Sequence, residues 1–304
     1  MRPRIVVIVG PTAVGKTELA VEWARELKGE IISADSMQVY KYLDIGTAKP
    51  SIEVRSQVPH HLIDLVPPDA TFSAAHFVYE ADRVIRRLQG EGKPILVVGG
   101  TGLYIRALLF GLIPTPPADG QLRQILKKQE NLYEMLVAVD PLAAQKIHPK
   151  DRVRIVRALE VLLLTGDSIV RQQRNHRFQN PRYDYLKIGI NDERSHLYER
   201  INKRTEEMFN RGLVEEVKGL LNMGYTKDLP PLQSLGYRHV ISFLEGKISL
   251  MEAIRLTARD TRHYAKRQIT WFGAEKDISW FHRRDPSAKD AVFHFLGKKS
   301  GEIS

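Results

Sequence analysis

A loop near the amino terminus contains the residues best suited to chemistry. An apolar run at 5–9 leads into it and a helix-like run at 18–27 follows it; the loop reads Gly10-Pro11-Thr12-Ala13-Val14-Gly15-Lys16-Thr17. The glycines allow a tight turn and a close approach of the backbone to a ligand. Lys16 adds a positive charge, and the Thr17 hydroxyl is placed to hold a Mg²⁺. The alternative is a chance glycine loop, but the flanking strand and helix favour a loop that binds a di- or triphosphate.

Two further polar residues follow predicted strands. Asp35 comes after a short apolar run at 30–34, and Thr101 comes after a continuous apolar run at 94–98. The carboxyl ends of parallel strands meet at one edge of a sheet, so both residues are expected near the loop. Asp35 could be a general base or a metal partner, or a turn aspartate. Thr101 could act on the ligand or cap the helix that follows it.

The alternation of elements predicts an α/β fold. Strand-like runs alternate with amphipathic helical runs up to residue 110, which indicates a P-loop NTPase-like open parallel sheet with helices on both faces. Three prolines in 112–120 mark a boundary, and a mostly helical, basic stretch follows. We therefore predict a catalytic core at 1–115 and 184–304 and an inserted helical domain at 116–183. Long helices are expected at 195–221, with a weak point at Gly212, and at 249–272. A strand is expected at 61–65, a loop at 228–236 and a frayed tail at 297–304.

Composition bounds the class of protein. The chain has 304 residues and no cysteine, which excludes disulfides, thiolate metal sites and cysteine nucleophiles. With neither a membrane-length apolar run nor a signal-peptide pattern, a cytoplasmic protein is expected. The net charge of +10 is uneven: residues 1–114 contain 13 Lys and Arg against 12 Asp and Glu, whereas residues 115–304 contain 33 against 24. This asymmetry favours a nucleic-acid partner for the second part.

A cationic stripe is predicted on the helix at 249–272. Its members fall at helical spacing on one face: Arg255, Arg259, Arg262 and Lys266. Asp260 lies off this face, and no acid is expected on the stripe to pair with it. The stripe therefore favours contact with RNA phosphates over a merely solvated face.

Taken together, several motifs resemble those of the tRNA dimethylallyltransferase (tRNA isopentenyltransferase) family. They run through nearly the whole chain and are the phosphate loop, Asp35-Ser-Met-Gln-Val-Tyr40, Asp44-Ile-Gly-Thr-Ala-Lys49, Pro59-His-His-Leu-Ile-Asp64, Gly99-Gly-Thr-Gly-Leu-Tyr104, Arg157-Ala-Leu-Glu-Val161, Gly236-Tyr-Arg238 and Ala265-Lys-Arg-Gln-Ile-Thr-Trp271. The phosphate loop alone is generic. The motifs at Asp35 and Gly99 are the specific pair.

The resemblance implies a reaction. A dimethylallyl group would pass from dimethylallyl diphosphate to N6 of the adenine 3′-adjacent to the anticodon of tRNA, with release of pyrophosphate and with Mg²⁺ as cofactor. Asp35 would be the general base, and Thr101 would contact the diphosphate. The diphosphate would be held by Gly10, Thr12, Ala13, Val14, Gly15, Lys16, Thr17 and Arg204, with Thr17 on the metal.

The resemblance also implies the tRNA contacts. Asp35, Ser36, Met37, Gln38 and Thr101 would lie against a flipped adenine or its neighbours. In the insertion the expected contacts are Arg123, Val153, Arg154, Ile155, Val156 and Arg157.

No heptad seam demands a dimer, so a monomer is expected.

Three alternatives remain open from the residues. A small-molecule or nucleotide kinase would share the phosphate loop, but it gives no use to the basic insertion. Prenyl transfer to a free adenine nucleotide would keep the chemistry, and the basic second part argues against it. A non-catalytic, nucleotide-gated RNA-binding protein would keep its function without Asp35.

Overall fold

A computed structural model of the chain describes residues 2–298, which form two compact units. The larger unit comprises the described parts of residues 1–109 and 182–304, and the smaller comprises Phe110–Pro181. From residue 299 onward, the predicted frayed tail lies outside the described residues.

The larger unit contains a parallel β-sheet. Within the described residues its strands are β1 (Arg4–Val9), β2 (Glu30–Ser33), β3 (His60–His61), β4 (Ile95–Val98), β5 (Asp184–Asn191) and β6 (Ser279–His282). Their order is β3-β2-β4-β1-β5-β6, and every neighbouring pair is parallel. The register sets Val6 beside Leu96 and beside Leu186. The prediction of an open parallel sheet is confirmed.

Helices fill the rest of both units. In chain order they are α1 (Lys16–Leu27), α2 (Ile52–Gln57), α3 (Ala74–Gly90), α4 (Gly102–Phe110), α5 (Gly120–Lys127), α6 (Leu132–Val139), α7 (Pro141–Ala144), α8 (Arg152–Thr165), α9 (Ile169–His176), α10 (Arg194–Asn210), α11 (Leu213–Asn222), α12 (Tyr237–Leu244), α13 (Leu250–Gly273) and α14 (Ser287–Phe295). None of these helices, which cover only the described residues, has the length and hydropathy to cross a lipid bilayer.

The central strand β1 is buried on both faces. All five residues from Ile5 to Val9 are fully buried. Because successive side chains on a strand point to opposite faces, both faces of the sheet must be covered. On one face Val6 and Ile8 pack in a cluster with Trp23 of α1 and Phe293 of α14. A strand whose two faces are both buried needs apolar residues at every position, which accounts for the continuous apolar run at 5–9.

Two elements differ from the prediction. The helix expected at 195–221 is two helices, α10 and α11, because the chain turns at Gly212, whose φ of 96° suits glycine. The strand expected at 61–65 is confined to His60–His61. Leu62 and Asp64 adopt left-handed φ values of 63° and 57°, which end the extended backbone.

Two helices and one short 3-10 helix were not predicted. Helix α2 is only six residues long, and its Ser51 cap accepts a hydrogen bond from the Val54 amide at 3.3 Å. The expected loop at 228–236 contains a 3-10 helix, Pro230–Gln233. Helix α12 directly follows that loop, beginning after Gly236.

The smaller unit has its own apolar core. Buried side chains from all five helices α5–α9 form it, and they include Leu126, Leu132, Leu136, Ile155 and Leu159. The predicted mostly helical character of this stretch follows from apolar residues at three- and four-residue spacing.

Candidate active site

The phosphate loop links β1 to α1 in a conformation that depends on glycine at its first position. Gly10 has a φ of 142°, and a Cβ placed on it would lie 2.4 Å from the Ile190 carbonyl oxygen of β5. A side chain there would therefore collide with the backbone of the neighbouring strand. Gly15 precedes α1, so the amide groups of the first helical turn face the loop.

Lys16 points back into the loop. Its Nζ donates to the Gly10 carbonyl oxygen at 2.9 Å and to the Pro11 carbonyl oxygen at 2.7 Å. Burial, and next the positive charge of Arg204, lower the pKa of Lys16 to about 7, although Asp35 and Glu18 act in the opposite direction. An anionic ligand would favour the charged form and could replace the carbonyl partners.

Asp35 follows β2 and forms a turn. Its Oδ1 accepts from the Met37 amide at 2.8 Å and from the Gln38 amide at 3.3 Å. Within the described residues, no hydrogen bond reaches its Oδ2. The turn role and the chemical role are therefore compatible, because the turn uses one oxygen and holds the carboxylate in place.

Thr101 lies immediately before α4. Its Oγ1 accepts from the Ser36 amide at 3.1 Å and also interacts with the Tyr264 hydroxyl of α13. The hydroxyl thus bridges the loop after β2 and the loop after β4. The predicted convergence of Asp35 and Thr101 at one sheet edge agrees with these contacts.

Two cavities open at this edge of the larger unit. The first, about 710 Å³, is lined by the phosphate loop residues Thr12, Ala13, Gly15, Lys16 and Thr17 and by one face of α10. The second, about 490 Å³, is lined by Ser36 and Met37 and by parts of α12 and α13. Residues on the wall common to both are Thr12, Ala13, Asp35, Thr47, Arg204, Met208 and Tyr264.

Arg204 contributes positive charge to that common wall. Burial lowers the pKa of its guanidinium, while the charges of Glu18 and Asp35 oppose the shift. Within residues 2–298 it forms no ion pair or side-chain hydrogen bond. A guanidinium in this setting is suited to binding an anion.

Sequence reasoning missed Arg200, one helical turn before Arg204. Its Nε donates to the carbonyl oxygen of Ala13 at 2.8 Å, and Ala13 has an unusual φ of 64°. Arg200 therefore supports a strained position of the phosphate loop. The four-residue spacing from Arg204 on an amphipathic helix is the signal that could have identified it.

The side-chain amide of Gln38 is held by contacts within the protein. Its Oε1 accepts from the Ser33 hydroxyl at 2.9 Å, and its Nε2 lies 3.3 Å from the Thr47 carbonyl oxygen. It lines the first cavity, whereas Ser36 and Met37 line the second. The three residues predicted as neighbours of one base are therefore divided between the cavities.

Thr17 is exposed on the first turn of α1 and lines the first cavity. Across residues 2–298 no group of three or more His, Cys, Asp or Glu side chains could hold a metal ion. A hydroxyl oxygen is a suitable but weak ligand for Mg²⁺, which usually relies on phosphate oxygens and water for most of its coordination. The donor set at Thr17 thus fits a metal that arrives with a diphosphate.

Three of the family motifs contribute contacts that support the site. The buried Lys49 ammonium lies 2.7 Å from Asp44 Oδ1 and 2.5 Å from Asp64 Oδ1. The Glu216 carboxylate accepts from the amides of residues 44–46 and from the Tyr237 hydroxyl at 2.6 Å. These contacts fix the segment that ends at Thr47, which lines both cavities.

The cationic stripe on α13 differs from its prediction. Arg255 forms an ion pair with Glu252 at 2.7 Å, and Arg259 forms one with Asp260 at 2.8 Å. The expectation that no acid would pair with the stripe was wrong, because long arginine side chains reach acids three residues or one residue away. Arg262 donates to Asn202, and Lys266 is exposed without an ion pair in the described chain.

The predicted tRNA-binding stretch at 153–157 is divided by the helix it occupies. Val153 is 81% exposed and Arg154 is also exposed, but Ile155 and Val156 are in the core of the smaller unit. Since a helix turns about 100° per residue, the five side chains do not share one surface. Contact of this stretch with tRNA stays a prediction. Only the first two side chains are presented to solvent in full.

Arg123 and Arg157 both engage the buried Glu160. Arg123 Nε lies 2.8 Å from Glu160 Oε1, and Arg157 Nη1 lies 2.5 Å from Oε2. Arg157 also donates to the Thr115 hydroxyl at 2.9 Å. These arginines have a structural role within the smaller unit, which leaves less of their charge for RNA.

Comparisons with known proteins identify the family of the chain. The family model described as IPP transferase matches residues 38–275, a span that begins after Asp35 and leaves the phosphate loop outside. The chain is 52% identical over 303 residues to tRNA dimethylallyltransferase 2 of Syntrophus aciditrophicus, covering 98% of this chain and 96% of that protein.

Two solved structures are similar over almost the whole chain. The full-length tRNA isopentenylpyrophosphate transferase of Bacillus halodurans is 38% identical with a TM-score of 0.73, covering 97% of this chain and 96% of its own. A eukaryotic dimethylallyltransferase acting on tRNA is 27% identical with a TM-score of 0.82, covering 99% of this chain and 81% of its own. Given the family match and the identity to its relatives, the chain belongs to the IPP transferase family.

Proposed function

We propose that this protein transfers a dimethylallyl group from dimethylallyl diphosphate to N6 of the adenine 3′-adjacent to the anticodon in tRNA, releasing pyrophosphate. The observation that carries the proposal is the position of Asp35 on the wall common to the two cavities. One cavity offers a phosphate loop to the donor, and the other offers space for the acceptor base. Relatives named for this activity match nearly the full chain, which supports it.

In this reaction the donor diphosphate occupies the phosphate loop. Lys16, Arg204 and the loop amides stabilise the negative charge that grows on the diphosphate as the bond to C1 of the dimethylallyl group breaks. Thr101, beside Ser36, contributes a hydroxyl to the diphosphate. Thr17 would hold a Mg²⁺ that arrives with the donor, and the ion would add to the charge neutralisation of the leaving group.

The adenine enters the second cavity after leaving its stack in the anticodon loop. Its N6 lone pair forms the new bond to C1, while the electron pair of the C1–O bond leaves with pyrophosphate. Asp35 accepts the proton that N6 loses. Ser36 and Met37 line this cavity and would contact the base.

Outside the cavities, RNA phosphates would bind exposed cations. Lys266 and Arg154 are exposed, and we assign them contacts with the backbone of tRNA. Arg255, Arg259 and Arg262 would contribute only by exchanging their protein partners for phosphates. Since tRNA is the proposed acceptor, we also propose a cytoplasmic, monomeric enzyme.

A transfer assay with three arms tests this function. In two arms, wild-type protein, Mg²⁺ and radiolabelled dimethylallyl diphosphate are mixed either with an unmodified anticodon stem-loop or with AMP. In the third arm, the protein, Mg²⁺ and the stem-loop are mixed with unlabelled ATP in place of the donor. We expect label in the stem-loop only, and no ADP from the ATP arm. Label in AMP would favour transfer to free nucleotides, and ADP formation without transfer would favour a kinase.

A further inference from the structure

A buried amide on α13 joins the two loops that form the first cavity. Gln268 is only 5% exposed, although it carries a polar side chain. Its Oε1 accepts from the Thr12 amide of the phosphate loop at 2.8 Å, and its Nε2 donates to the Gly100 carbonyl oxygen at 3.0 Å. One side chain therefore connects segments that are 88 residues apart in the sequence.

The chemistry of these contacts requires an amide. The Thr12 N–H needs an acceptor and the Gly100 carbonyl needs a donor, and a glutamine side chain presents both at one end. A carboxylate would place an oxygen against the Gly100 carbonyl, and a thioether would leave both groups without a strong partner. Unmade hydrogen bonds at buried groups are costly, so the arrangement favours this residue.

The loop after β4 is shaped to receive α13. A Cβ on Gly100 would lie 2.0 Å from Gln268 Nε2, and a Cβ on Gly102 would lie 2.1 Å from Trp271 Nε1. Thr101, between these glycines, interacts with Tyr264 one turn earlier on α13. Gly100, Thr101 and Gly102 are thus successive residues that all lie against one face of α13.

We infer that Gln268 is a positioning residue that holds the phosphate loop and the Thr101 loop at the spacing in which both address one diphosphate. The inference rests on the proposed function only for the identity of the ligand. Gln268 fixes Thr12 on one side of the cavity and Gly100 on the other, so its loss lets the two loops separate. Weaker diphosphate binding, with RNA binding intact, is the consequence.

The test uses Gln268→Met, which keeps the length of the side chain and removes both hydrogen bonds. Its matched control is Gln57→Met, since the exposed Gln57 amide accepts from Arg25 and lies outside both cavities. Pyrophosphate binding in the presence of Mg²⁺ is measured by titration calorimetry for each variant. The Tm, the KM for dimethylallyl diphosphate and the KM for the stem-loop are measured alongside it. Loss of two hydrogen bonds is expected to weaken pyrophosphate binding about tenfold. The stem-loop KM stays within about twofold, and the control is unchanged.

A double-mutant cycle separates positioning from stability. Gly100→Ala should weaken pyrophosphate binding because its methyl group collides with the Gln268 amide, and Gln268→Ala should relieve that collision. We expect the double variant to bind pyrophosphate no more weakly than Gln268→Ala alone. Additive losses, or a lower Tm with unchanged pyrophosphate affinity, would overturn the inference. Pyrophosphate binding needs neither RNA nor transfer, so this result is independent of whether the proposed reaction occurs.

Discussion

Asp35 and Arg204 share the wall between the two cavities, and the charge of Asp35 opposes the effect of burial on the Arg204 guanidinium. They come from the loop after β2 and from the middle of α10, on opposite sides of the inserted smaller unit in the sequence. A carboxylate and a guanidinium therefore lie on one wall, where a donor in one cavity would face an acceptor in the other.

Replacing Asp35 by asparagine should remove the base and keep the turn. The Asn side-chain oxygen can still accept from the Met37 and Gln38 amides, so the fold and the donor KM should be preserved. We expect kcat to fall about 10²- to 10⁴-fold, the usual effect of losing a general base. Single-turnover transfer to the stem-loop measures this. Unchanged kcat in Asp35→Asn would remove Asp35 from the chemistry.

The pH dependence of donor binding should report Lys16. Burial and the charge of Arg204 lower its pKa to about 7, so the ligand-free protein loses this proton above neutrality. A diphosphate binds the charged form, so binding must take up a proton at higher pH and the affinity falls by up to about tenfold per pH unit. The Kd for dimethylallyl diphosphate is measured from about pH 7 to 9, where its phosphates are already ionised.

The control for this titration is Lys16→Arg. An arginine stays protonated throughout that range, so its curve should be flat even if its affinity is lower. If wild type and Lys16→Arg showed equal slopes, the titrating group would be elsewhere.

Arg204 should be favourable for function and unfavourable for stability. Its guanidinium is partly buried and, within the described residues, lacks an ion pair, so Arg204→Met removes a charge that no direct salt bridge neutralises. We expect Tm to rise by roughly 2–4 °C, corresponding to about 1 kcal/mol, while the donor KM increases at least about tenfold. Calorimetry and steady-state kinetics check the two effects. A lower Tm together with an unchanged donor KM would show a purely structural arginine.

Glu160 should govern the stability of the smaller unit. Burial raises the pKa of its carboxyl, but hydrogen bonds from Arg123 and Arg157 outweigh this effect and hold the pKa below the ordinary 4.5. Its contribution is therefore present above about pH 4.5 and is lost as the pH falls below that value. Glu160→Gln leaves two arginines without their carboxylate and should cost about 3 kcal/mol at neutral pH.

Urea unfolding of wild type and Glu160→Gln, at pH 7 and at low pH, measures this contribution. The difference between the two proteins should shrink as the pH falls, because protonation of Glu160 removes the same charge. A difference that stays constant with pH would contradict the assignment.

The α13 stripe should bind RNA unequally. Lys266 is exposed without an ion pair in the described chain, whereas Arg255 is already paired with Glu252. Lys266→Ala should therefore weaken stem-loop binding more than Arg255→Ala and should reduce the salt slope by about one. Filter binding over a range of salt concentrations measures both. Equal effects of the two variants would show that breaking the ion pair between Arg255 and Glu252 costs no measurable binding free energy.

Local sequence patterns predicted much of the site. The apolar runs before Gly10, Asp35 and Thr101 indicated parallel strands, and the ends of such strands must meet at one edge. This reasoning places Asp35 and Thr101 near the phosphate loop, in agreement with the contact between Thr101 and the Ser36 amide and with the position of Asp35 on the first cavity. The glycine pattern of the loop likewise predicted a tight turn, because a side chain at Gly10 would collide with the backbone of β5.

What the sequence could not supply depends on contacts between distant elements. Gln268 reaches the phosphate loop through the packing of α13, which no local spacing encodes. For Arg200 the helical spacing from Arg204 was readable, but its contact with the Ala13 carbonyl depends on how α10 packs. The pairing of Arg259 with Asp260 depends on rotamers, not on position along a helical stripe. For Ile155 and Val156 the helical period was readable, but the resemblance assigned them as a block with their exposed neighbours.

The most direct measurement of the central claim is the site of the product in RNA. Stem-loop RNA is incubated with the protein, Mg²⁺ and dimethylallyl diphosphate, then digested to nucleosides for mass spectrometry, with released pyrophosphate measured in parallel. The account predicts one pyrophosphate per dimethylallyl group, attached to N6 of the adenine 3′ of the anticodon, and almost none with Asp35→Asn. A dimethylallyl group on another base, or pyrophosphate release without an RNA product, would contradict it.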